Sequence, residues 1–94
     1  MARRDRISAE DAQIIALKAL AFLASDGQRL ERFMALTGLG PREIQAGAAE
    51  PSFLAGVLEH LRGDETLLLV FAEQVNLDPA VIDEAFSGLG GTSS

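Results

Sequence analysis

The chain has 94 residues, 48% of them hydrophobic, and a formal net charge of −6 at pH 7. That length suits one domain that buries roughly 60–65% of its unfolded surface, with a net stability of about 5–9 kcal/mol. It contains no cysteine, which excludes a disulfide framework, thiolate zinc sites and thiol catalysis.

Residues 1–7 open with Arg3, Arg4 and Arg6 and are expected to be disordered. The basic start is soon broken by Glu10 and Asp11, so no signal peptide is expected, and the cysteine-free chain fits the cytoplasm. Ser8 with Asp11 three residues on resembles a capping box and predicts a helix from Ala9 to about Ala24. The apolar stretch Ile14–Ala24 contains Lys18 and is too short to span a bilayer. Asp26 suits the N-cap of a second helix that ends near Thr37, where Gly38 takes the left-handed position after the helix. Pro41 opens a short helix to about Ala48, because proline at the first helical position loses no hydrogen bond. Pro51 opens a fourth helix that ends at Leu61 or Arg62. Asp64 caps a fifth, Glu65–Val75, closed by Asn76 in left-handed space. Asp78 and Pro79 start the sixth, which is expected to end near Phe86 or Ser87. Residues 88–94, rich in Gly and Ser, are expected to be a flexible tail. No run of residues carries a strand pattern.

This grammar occurs twice. Residues 12–48 laid on residues 50–86, an offset of 38 without a gap, share eight identities. They are Leu20/Leu58, Leu23/Leu61, Asp26/Asp64, Leu30/Leu68, Phe33/Phe71, Leu39/Leu77, Pro41/Pro79 and Ile44/Ile82. Composition alone accounts for roughly two or three. The fold class expected is therefore all-α, a single compact domain of six short helices at residues 8–87, built as two related three-helix halves. A lone half has too thin a core and gains burial by pairing with the other. Leu20, Leu23, Leu30, Phe33, Leu58, Leu61, Leu68 and Phe71 are expected at or near the shared core. On that placement Leu68→Ala should cost roughly 2–5 kcal/mol. The segments Ala12–Ala24 and Leu67–Ala72 are apolar nearly all round, so either they pack centrally or one face of each awaits a partner.

Little in the chain points to chemistry. His60 is the one side chain that titrates near neutral pH, and it reads best as a histidine on a helix surface or at the core edge. His60 and Asp64 share a helical face, but two ligands do not make a metal site. The segment Thr37–Pro41 lacks the Lys-Ser/Thr of a phosphate loop. Residues 33–45 have partial helix-turn-helix grammar, with Gly38 in the turn and Ile44 beyond it. Against it, the second helix carries only Arg42, and residues 43–94 hold nine acidic side chains against one basic.

The segments Leu20-Ala21-Phe22-Leu23-Ala24, Leu30-Glu31-Arg32-Phe33, Leu36-Thr37-Gly38-Leu39, Pro51-Ser52-Phe53-Leu54 and Val57-Leu58-Glu59-His60-Leu61, with Asp64-Glu65, carry a resemblance. Together they are similar to a domain-of-unknown-function family of small alphaproteobacterial proteins, over about residues 12–86. The resemblance implies a bacterial, cytoplasmic, all-helical protein and brings no activity, cofactor or catalytic residue.

The functional expectation is a small non-enzymatic interaction or adaptor protein without a cofactor. Its expected partner is a protein, a second copy of the chain included. The alternative is a DNA-associated regulator that uses residues 33–45. A third reading places a small ligand between the halves.

Overall fold

The computed structural model describes residues 7–91; residues 1–6 and 92–94, and the expectations placed on them, lie outside the described residues. Six helices follow one another: α1 (Ala9–Ala24), α2 (Gly27–Thr37), α3 (Pro41–Gly47), α4 (Pro51–Arg62), α5 (Glu65–Val75) and α6 (Pro79–Gly88). No strand occurs among the described residues, and the fold is an all-α single domain.

Short-range chemistry sets the helix ends. The Ser8 hydroxyl accepts the Asp11 N–H at 3.0 Å. Asp26 Oδ1 accepts from the N–H groups of Gln28 at 2.9 Å and Arg29 at 3.3 Å. Asp64 Oδ1 accepts from Leu67 at 3.2 Å, and Asp78 Oδ1 from Ala80 at 2.8 Å. Each carboxylate satisfies backbone donors that have no partner inside the helix. Pro41, Pro51 and Pro79 stand at the first helical position. Gly38 closes α2 at φ +76°, and its N–H donates to the Met34 carbonyl at 2.8 Å. Asn76 closes α5 at φ +59°, and the Leu77 N–H reaches back to the Ala72 carbonyl at 2.8 Å. The second closure is a Schellman motif, with asparagine tolerated in left-handed space.

Both ends of the described chain belong to the packed body. Ile7, expected in a disordered segment, is half-buried against the core. Residues 88–91 were expected in the flexible tail. Instead α6 continues to Gly88, Leu89 is buried, and Gly90 turns the chain at φ +91°. The Gly91 N–H donates to the Phe86 carbonyl at 2.9 Å and that of Gly90 to Ser87 at 3.0 Å. The Gly/Ser composition hides a second Schellman motif whose apolar anchor is Leu89.

Helices α1, α4 and α6 pack on one another at the centre; α2 lies on α1, while α5 touches α1, α4 and α6. The inner face of α1 is small. Ala12, Ala16 and Ala19 are fully buried, and a Cβ built on Gly88 would lie 3.4 Å from that of Ala12. Small residues let α6 close tightly on α1. Of the expected core, Leu23, Phe33, Leu58, Leu61 and Phe71 are buried. Leu20 and Leu68 are instead half-buried at its edge, and Leu30 is half-buried beside a groove. The helical spacing of apolar residues locates the inward face of α2 and α5, but only packing decides how deeply each position lies. At the half-buried Leu68 truncation leaves no sealed void, so the cost expected for a core leucine does not apply there.

The halves are related but unequal. Contact of α6 with α1 is extensive, whereas the equivalent contact of α3 with α4 is slight. The cause lies in side-chain size. Where α1 has Ile15, Ala16 and Ala19, the repeat places Phe53, Leu54 and Val57 on α4. Of these, the Phe53 ring lies in the contact with α3. Phe53 meets Gly47 of α3, where an added Cβ would lie 2.5 Å from the ring. A missing side chain therefore makes room for a bulky one.

Candidate functional site

Because α3 stands off, the first half contains an open apolar groove of about 400 Å³. Leu17, Leu20, Ala21 and Ala24 of α1 form its floor. Leu30 and Met34 of α2 form one wall, and Pro41, Ile44, Gln45 and Ala48 the other. No charged side chain lines it, and Gln45 is its one polar side chain. The groove lies within the first half, not between the halves. Leu17 is 42% exposed, and Ile14, one turn before it, 46%. So α1 is covered on its inner side by α4 and α6 and uncovered on its outer side. On α5, Leu69 at 48% and Val70 at 39% form a smaller exposed pair.

A second cleft runs between α2, α4 and α5 and gathers Arg32, Glu59, His60, Asp64 and Glu65. The His60 imidazole stands edge-on to Phe33 with ring centres 5.0 Å apart. Its Nε2 is buried and has no hydrogen-bond partner. Burial lowers the pKa of His60 from the ordinary histidine value; Asp64 works against that shift and Arg32 adds to it. Asp64 is already engaged as the cap of α5. The edge-on contact of His60 with Phe33 ties α4 to α2. Among the described residues no group of three or more His, Asp or Glu is placed to hold a metal ion.

The other sequence-derived positions serve the backbone. Asp26, Asp64 and Pro79 begin helices, and Gly38 and Asn76 end them. Pro41 opens α3 and also lines the groove. In the segment with helix-turn-helix grammar, α3 spans seven residues, and Arg42 is its one basic side chain.

Sequence reasoning did not single out Leu17, Ala21, Ala24, Met34, Gln45 or Ala48. A usable signal was nevertheless present, in the places where the two copies differ. Ala24, Gln45 and Ala48 stand opposite Arg62, Asp83 and Phe86. In the second half those three make a cluster. Arg62 Nε donates to Asp83 Oδ1 at 2.7 Å, and the guanidinium lies 4.3 Å from the centre of the Phe86 ring. Identity between the copies marks the scaffold, and difference marks where one half is closed and the other open.

Fold and site together define a small helical-repeat domain with an uncovered apolar groove. The chain belongs to the family described as protein of unknown function (DUF3572), whose sequence profile matches residues 9–92. No curated protein and no solved structure matches it significantly. Among the described residues no helix is long and apolar enough to cross a membrane.

Proposed function

We propose that this protein is a non-enzymatic protein-interaction module, an adaptor that binds another polypeptide through its surface. The observation that carries the reading is the uncharged groove on the outer side of α1, with Leu17 open to solvent. Hydrophobic grooves between helices are suited to holding a helix. A domain of this size leaves such a surface uncovered at a cost in solubility, and a partner removes that cost. Self-association is a variant of the same reading, favoured by the exposed pair Leu69 and Val70 on α5. The reading takes the compartment to be a reducing cytoplasm, which a cysteine-free chain fits. The DNA-regulator alternative draws little support from α3, whose single basic side chain is Arg42.

Immobilised protein washed at high salt in native extract tests the reading, with Leu23→Asp as the unfolded control. The expected outcome is one polypeptide retained in stoichiometric amount and absent from the control. Retention of nothing, by a protein whose mass does not change with concentration, would end the interaction reading. Tight binding to duplex DNA that weakens steeply with salt would replace it with the regulator.

A further inference from the structure

We infer that the groove between α1, α2 and α3 seats a single amphipathic helix of another protein, which lays an aromatic side chain against Leu17, Ala21 and Ala24. The inference rests on the interaction reading and names its surface and the chemistry of its partner.

The molecule contains a filled version of the same site. Moved by the repeat offset, Leu17, Ala21 and Ala24 become Ala55, Glu59 and Arg62 of α4. On that face of α4 Ala55 is buried and Arg62 is partly covered, while Glu59 stays exposed. Phe86 of α6 is 3% exposed, its ring lies under the Arg62 guanidinium, and Asp83 holds Arg62 in place. In the first half Arg62, Asp83 and Phe86 are replaced by Ala24, Gln45 and Ala48, and Leu17 is left 42% exposed.

Burial within the repeat points the same way. Leu58 and Ile82 are fully buried, whereas their identical counterparts Leu20 and Ile44 are half-buried, and both of these line the groove. Identical residues on the same scaffold differ in burial where α6 packs closely on its neighbours in one half and α3, its counterpart, stands off in the other. What the first half lacks is the benzyl group that Phe86 carries on α6, where the first copy has Ala48.

Charge and composition narrow the occupant. The groove walls hold no charged side chain, so the face that enters is uncharged. A second copy of the chain fits poorly. Of its five phenylalanines, Phe22, Phe33, Phe71 and Phe86 are buried and Phe53 is half-buried, so a folded copy presents no exposed ring.

The probe is an acetylated, amidated peptide of residues 78–91, the segment that carries Phe86, titrated into the full protein and followed by methyl NMR. The expected result is shifts at the methyl groups of Leu17, Leu20, Leu30, Met34 and Ile44. Binding should weaken at least about tenfold when the peptide carries Phe86→Ala. Ala48→Phe in the protein puts a ring at the position that Phe86 holds in the second copy, and should abolish the shifts while raising the melting temperature. Ala21→Glu, at an exposed position where the second copy has glutamate, should abolish them without disturbing the fold.

Absence of shifts at millimolar peptide overturns the inference. So do shifts confined to α4, equal binding of the Phe86→Ala peptide, or a free protein in which Ile44 already touches Leu17. A polypeptide captured in stoichiometric amount by wild type and Ala21→Glu alike would overturn the groove assignment while sparing the interaction reading.

Discussion

Phe53 and Gly47 show how one missing Cβ shapes the first half. In a solvent-exposed helix Gly→Ala stabilises by about 1 kcal/mol through backbone entropy. At Gly47 the added carbon meets the Phe53 ring, which also stands edge-on to Phe33 with ring centres 6.4 Å apart. Gly47→Ala is therefore expected to destabilise by about 1–3 kcal/mol, as overpacking does. Urea denaturation measures it, and a neutral or stabilising result would mean that the ring moves aside freely. His60 makes the other residue-scale prediction. Its pKa is lowered in the folded state, so the unfolded chain binds the proton more readily. Stability from this site is full above the unfolded value of about 6.5 and falls as pH drops through the interval down to the folded value. Arg32 of α2 and Glu59, Asp64 and Glu65 share the cleft. His60→Gln is expected to remove the part of the stability loss below about pH 6.5 that this site contributes, read from urea denaturation as a function of pH. An unchanged slope would place its origin elsewhere.

Among the helices, burial depth separates positions that look alike in the repeat. Leu61 on α4 is fully buried, and Leu68 on α5 is half-buried. Leu61→Ala is expected to cost about 2–5 kcal/mol through transfer and cavity terms together. Leu68→Ala should cost about 1 kcal/mol, since solvent can enter the space it leaves. Equal losses in thermal melts would contradict this ordering. The end of α6 provides a comparable case. Leu89 is 7% exposed and follows a helix whose sequence runs into glycines. Leu89→Ala should lower stability by about 2 kcal/mol or more, a loss that no truly flexible tail would show. The caps were legible because capping is local: Asp26 and Asp64 act on backbone groups two or three residues away. Leu89 was hidden because its burial depends on the core formed by distant helices.

At the scale of the molecule, the two halves share a pattern and differ in closure. Helices α1, α4 and α6 hold the centre, whereas α3 contacts little beyond α4. Amides of α3 are expected to exchange with solvent well ahead of those in α6, although the two are repeat equivalents, because opening α3 exposes less buried surface. Hydrogen exchange resolved by residue checks it, and equal protection would mean that α3 is held by contacts not seen here.

The sequence by itself determined the number of helices, their order and nearly all of their ends, since proline, glycine, asparagine and the capping carboxylates act within a few residues of their own position. It determined the doubling too, because pairs such as Phe33/Phe71 and Leu23/Leu61 recur at one offset and are buried in both copies. Only the tertiary structure decided that the copies would be unequal. Whether α3 closes on its neighbours depends on side chains 38 residues apart, with Phe53 against Gly47 of α3 where the first copy has Ile15, and Ala48 where the second has Phe86. The groove is a consequence of that mismatch in volume, and volume is compared only when the halves meet.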